Sequence, residues 1–153
     1  MNFDRDSRRL LYVDKGLAAE WFKIIPVFEQ AFPGSTATIP STGGYRDPDL
    51  QLDASITGAS NYDGKTTFSK HQVFPSQGLD YSVVENGSYV KDGRDQRYRW
   101  IGEQFESAGF KWGGRFHKAE PDWDHVEVIG PQPARAAVEA GIESFKQASA
   151  QTA

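Results

Sequence analysis

The chain of 153 residues contains no cysteine. That excludes a disulfide scaffold and any thiolate zinc site. Histidine is scarce too: His71, His117 and His125 are the whole imidazole supply. Any bound metal must therefore be held by these residues together with Asp or Glu. No apolar run approaches the length of a membrane span, so no membrane insertion is expected. The N-terminal stretch MNFDRDSRRLLYVDKG has charges on both sides of a very short apolar segment, which is not the pattern of a secretory signal peptide. There is no internal repeat and no low-complexity linker. Basic residues are in deficit, 17 Lys and Arg against 21 Asp and Glu, giving a formal net charge of −4. A nucleic-acid binder usually carries the opposite excess.

What the chain does have is aromatic bulk. Four Trp, six Tyr and ten Phe supply core material that a disordered chain would lack. The hydrophobic share is 38% and the mean hydropathy is −0.60. Length and composition together predict one domain over 1–153, with a core of its own.

Patterning predicts α+β, a small antiparallel sheet flanked by helices. SRRLLYVDKGLAAEWFKIIPVFEQAF reads as helix with breaks at Gly16 and Pro26. Thr36–Ile39 is β-prone. Asp47 and Pro48 look like the N-cap and first residue of a short helix. LDYSVVENGSYV predicts a strand ended by Asn86-Gly87. RDQRYRWIGEQFESAGF is the clearest helix, with Trp100, Ile101 and Phe105 on one face and Gly109 as its stop. Its basic-aromatic start reads as a solvated helix face in an acidic protein rather than a nucleic-acid surface. HVEVI is a strand candidate. The alanine-rich tail predicts a helix over about 133–149, with Val138, Ile142 and Phe145 on one side.

Three stretches are rich in metal-ligating and base residues: GGYRDPDLQ, SKHQVFPSQGLD and PDWDHVEV. A mononuclear catalytic zinc takes three ligands from His and carboxylates, keeps one position open, and works with a nearby base. At these residues the chain resembles the zinc D-Ala-D-Ala peptidases and L-alanyl-D-glutamate endopeptidases, a family that includes VanY-type carboxypeptidases and many phage endolysins. The family pattern runs G-Y-R-S-x-x-x-Q, S-x-H-x-x-G-x-A-x-D, W-G-G and D-x-x-H-F-E. This chain has Gly44-Tyr45-Arg46 with Gln51, then Ser69-Lys70-His71 with Asp80, then Trp112-Gly113-Gly114, then Asp122-Trp123-Asp124-His125-Val126-Glu127. The motifs come in the family's order over a core of about 40–130.

The resemblance implies one Zn²⁺ on His71, Asp80 and His125. It implies Asp122 as general base, and Arg46 against the substrate or the developing oxyanion. Glu127, Gln51, Ser69, Tyr45 and Trp112 are expected to support these groups or to line the cleft. Gln51 would brace a loop, and Tyr45 and Trp112 would be core or cleft wall. Gly113-Gly114 would serve an unusual φ/ψ. One departure stands out: eight residues lie between His71 and Asp80, two more than in the family pattern. An insertion around VFPSQ accounts for it, since a loop can bulge while its ends stay fixed. If the bulge displaces Asp80, Asp63 or Glu85 would be the carboxylate to replace it. Without their context, His71 would read as an exposed loop histidine and His125 as a core histidine. His117 has no counterpart in the family pattern.

The function implied is a zinc peptidase that cuts the L-Ala–D-Glu bond of peptidoglycan stem peptides. Release of terminal D-Ala, as in D-Ala-D-Ala carboxypeptidases and dipeptidases, is the competing activity. A non-catalytic zinc module and a vestigial phage structural domain are rivals of a different class. The expected partner is the stem peptide, with no nucleic acid, and the expected state is a monomer. Without a signal peptide, such an enzyme would reach the wall through a holin lesion or on a virion.

Overall fold

Side-chain caps decide where the helices of this protein start. The computed structural model describes residues 1–152. Helix α1 spans Phe3–Leu10 and α2 spans Lys15–Ala31. The break between them falls ahead of Gly16, because the Asp14 carboxylate accepts from the backbone N–H groups of Gly16 and Leu17 and opens a new helix. Pro26 does not break α2. An interior proline costs about 3 kcal/mol. The buried face of Leu17, Trp21, Ile24, Ile25 and Phe28 offsets it, since each such side chain contributes roughly 1.5–3 kcal/mol.

Strand β1 is Ser35–Thr38 and helix α3 is Pro48–Ile56, the latter capped by Asp47, which accepts from Leu50 N–H. A 3₁₀ turn at Lys70–Gln72 precedes β2 (Gly78–Asp80), β3 (Ser82–Glu85) and β4 (Ser88–Tyr89). Helix α4 is Gln96–Ser107, β5 is Lys111–Trp112, β6 is His125–Glu127 and α5 is Arg135–Thr152. Among the described residues, no helix is long and apolar enough to cross a membrane.

The fold is α+β, with two small antiparallel sheets, β1-β3-β4 and β2-β6-β5, where a single sheet was expected. The stretch read as one strand changes partners at Tyr81. Asp80 pairs with His125 on one side, and Ser82 pairs with Thr38 on the other. Tyr81 is fully buried, and its hydroxyl lies 2.9 and 3.1 Å from the carbonyls of Tyr98 and Trp123. The β3–β4 turn places Asn86 at φ 48° and Gly87 at φ 83°, the left-handed pair a two-residue hairpin prefers.

Helices α2 and α4 cover the sheets, with Trp21, Phe28, Ile101, Phe105 and Trp112 in the core. Helix α5 lies over the start of the segment between His71 and Asp80. At Gly141 a Cβ would come within 3.1 Å of Phe74 N and 3.2 Å of Gln72 O. Phe74 and Phe145 join Tyr12 and Tyr45 in an aromatic cluster beneath that helix.

Candidate metal centre and cleft

Strands β2 and β6 pair so that Asp80 stands opposite His125. Opposed residues on neighbouring strands share a face. His71 reaches them from the 3₁₀ turn. There Ser69 Oγ accepts from His71 N–H at 3.1 Å, and Gln72 returns the contact by accepting from Ser69 N–H at 2.9 Å. Gly78 leaves room for both rings: a Cβ there would lie 3.0 Å from His125 Cε1 and 3.1 Å from His71 Nε2.

Three donor atoms converge. His71 Nε2 lies 3.2 Å from Asp80 Oδ1 and 3.3 Å from His125 Nδ1, and His125 Nδ1 lies 2.7 Å from Asp80 Oδ1. A tetrahedral zinc with bonds of about 2.0–2.1 Å holds its ligand atoms about 3.3–3.4 Å apart. Two edges of the triangle already match; the third is a hydrogen bond that a metal would replace. The far ring nitrogens fix the tautomers. His71 Nδ1 donates to Gly44 O at 2.7 Å, and His125 Nε2 donates to Glu127 Oε2 at 2.9 Å, leaving the inner nitrogens as donors to a metal. The residues present therefore fit a zinc ion.

The charges agree with this. Burial pushes His71 down toward the neutral form, with Asp80 pulling the other way. Burial opposes the charge on Asp80, but His71 and His125 outweigh it and hold the carboxyl well below its usual range. Burial also opposes the charge on His125, yet its hydrogen bonds to Asp80 and Glu127 push it up to about 10. A metal arriving here takes the place of that proton.

Arg46 is 7% exposed and lines the cleft. Its guanidinium pairs with Asp80 Oδ2, donates to Thr42 O at 2.8 Å and to Gln51 Oε1 at 3.3 Å. Three of its five donors are thus committed to the site's own framework. Gln51 in turn donates to Ser60 Oγ and Tyr62 O at 2.7 and 2.8 Å, tying Arg46 to the loop that forms one cleft wall.

Asp122, Asp124 and Glu127 all line the same cleft, whose volume is about 480 Å³. On an in-strand reading Asp124 would point away from His125. Strand β6 begins only at His125, and Asp124 belongs to the turn before it, where His125 N–H bonds to Asp122 O at 3.2 Å. Burial, with Asp80 and Asp122 nearby, pushes Asp124 up to about 7. Burial resists the Glu127 charge, but His125 and the lysines Lys70 and Lys111 hold its carboxyl low.

Tyr45 and Trp112 are not cleft walls. Tyr45 stacks on Phe145 at 4.6 Å, and burial with Asp47 pushes it up to about 12. Trp112 is 1% exposed and donates to Trp123 O at 2.9 Å. Gly113 and Gly114 lie in a 3₁₀ turn without positive φ, rather than in the unusual φ/ψ expected of them. Close approach is the reason for both: a Cβ on Gly113 would lie 2.3 Å from Asp122 O, and one on Gly114 would lie 2.3 Å from the Trp112 ring. Asp63 and Glu85 are engaged elsewhere, Asp63 by the N–H groups of Lys65, Thr66 and Thr67 and Glu85 by Arg97 at 3.1 Å. His117 is exposed at the cleft edge. Sequence reading passed over Lys111, Phe116 and Lys118. Only the register Lys111↔Glu127 would have placed Lys111 on the site's face.

No family model and no curated protein sequence matches the chain. Solved structures do. The L-Ala D-Glu endopeptidase ChiX of Serratia marcescens superposes with a TM-score of 0.59 at 15% identity, over 82% of this chain and 86% of that one. The LD-carboxypeptidase LdcB gives a TM-score of 0.50 at 18% identity, over 86% of this chain and 72% of that one. The chain thus shares its fold with an L-Ala D-Glu endopeptidase and an LD-carboxypeptidase, in line with the resemblance that its motifs carry.

Proposed function

We propose that this protein is a zinc-dependent peptidoglycan endopeptidase that cuts the L-Ala–D-Glu bond of stem peptides. The observation that carries this reading is the inward-facing triangle of His71 Nε2, Asp80 Oδ1 and His125 Nδ1 at the floor of an open cleft. Zinc held there supplies Lewis acidity and brings the pKa of a water toward about 7. Two neutral imidazoles and one carboxylate leave such a centre with a net positive charge, which keeps it electrophilic. Asp122 takes the proton of the attacking water and passes it to the leaving amine. Arg46 holds Asp80 in place and keeps its uncommitted N–H groups for the oxygen that gains charge. Glu127 orients His125 through the 2.9 Å hydrogen bond.

Mass spectrometry of purified muropeptides after digestion tests the reading. A new N-terminal D-Glu is the expected product. Loss of a terminal D-Ala instead would make the protein a carboxypeptidase. No product from the zinc-loaded protein would leave a non-catalytic zinc module or a structural domain.

A further inference from the structure

The two walls of the cleft differ in charge. Residues Gly58–Tyr62 form one wall and carry no ionisable acid or base apart from the tyrosine phenol. The other wall carries Lys111, Phe116, His117 and Lys118. The Lys111 ammonium sits 5.0 Å from the centre of the Phe116 ring, and that of Lys118 sits 5.9 Å from the same ring. The ring itself lies 6.1 Å from His125, centre to centre. A tight backbone bond, Lys118 N–H to Phe116 O at 3.0 Å, folds Lys118 back toward the ring.

We propose that Lys111 and Lys118, gathered around Phe116, form a subsite for a free carboxylate on the residue next to the cut bond, so that the enzyme prefers stem peptides in which that carboxylate is not amidated. This rests on the peptidase reading above. The cleft floor carries Asp80, Asp122, Asp124 and Glu127, in a protein of net charge −4. Arg46 and Lys70 line the cleft as well, but Arg46 is paired with Asp80 and Lys70 donates to the carbonyls of Val128 and Gly130, so further positive charge nearby favours an anionic peptide. Lys111 stands opposite Glu127 across the strand pair. Lys118 forms no ion pair among the described residues, so its charge remains for a ligand. An ammonium over an aromatic face is steadied by the ring and still has donors for a carboxylate. The positive edge of the ring is itself compatible with a carboxylate. Both lysines and His125 neighbour the same aromatic ring, and a peptide advances about 3.3–3.6 Å per residue. The carboxylate of a residue flanking the cut bond thus falls within reach. In an L-Ala–D-Glu stem that group is the D-Glu carboxylate left out of the chain linkage.

Two synthetic stem peptides that differ only in this group, free carboxylate or primary amide, provide the test. With zinc-loaded protein, kcat/KM should favour the carboxylate by about tenfold, and added NaCl should narrow the ratio. Lys111→Gln and Lys118→Gln should each shrink the ratio by about twofold to fivefold, mainly through KM. Equal rates on both peptides in the wild type would overturn the subsite and leave the peptidase reading standing. So would an equal fall on both peptides in each variant. Cleavage of neither peptide would overturn both together.

Discussion

His71 Nε2 and His125 Nδ1 lie 3.3 Å apart across 54 positions of sequence, and each ring's outer nitrogen is already committed to an acceptor. The two imidazoles meet at an interplanar angle of 57° with these nitrogens inward, beside the half-buried Asp80 carboxylate. Like-facing acceptors of this kind need a cation or a proton between them, which is the physical basis for the metal assignment.

Purified protein should therefore contain about one zinc per chain by elemental analysis. His71→Ala, Asp80→Ala and His125→Ala should each lose it. Asp63 and Glu85 cannot stand in for Asp80, because their carboxylates are bound at other places in the fold. Full zinc retention in both histidine variants would refute the centre.

Asp122→Ala should lower the rate by roughly 10²–10⁴ while zinc stays bound. Asp124→Ala should be mild by comparison, even though both carboxylates line the cleft. Measuring kcat and zinc content together on the two variants separates a lost base from a lost metal. If Asp124→Ala shows the large loss and Asp122→Ala does not, the base is Asp124.

Glu127→Ala removes the acceptor that holds His125 Nε2. Zinc affinity should weaken by about 10–100-fold, and competition with a chelator reads it directly. An unchanged affinity would mean that the strand alone orients His125.

Gly102→Ala should destabilise the fold without touching the cleft. A Cβ there would lie 2.4 Å from the ring of Trp112, the buried residue of β5 that packs against α4. Overpacking of this kind costs about 1–3 kcal/mol. A lower denaturation midpoint with zinc content intact is the expected result, and an unchanged midpoint would show that the indole can shift.

Much of this protein was legible in the linear chain. The absence of cysteine and the presence of three histidines limited any metal to imidazole and carboxylate. Asp47-Pro48 marked a helix start, and Asn86-Gly87 a hairpin, because caps and primed turns depend on residues close in sequence. The ordered motifs pointed to the fold that the structure has. Tertiary structure decided the rest. Local pattern put breaks at Gly16 and Pro26, but Asp14 and the packed face of α2 moved the first and erased the second. Nothing local shows that the chain changes sheets at Tyr81, since that depends on which strands it meets. The glycines of the WGG motif answer to Asp122 and to the Trp112 ring rather than to their own φ angles. The lysine-lined wall likewise exists only because β5 pairs with β6 and the following loop returns Phe116 to His125. Caps and turns are set by neighbours in sequence; close approach and shared faces are set by neighbours in space.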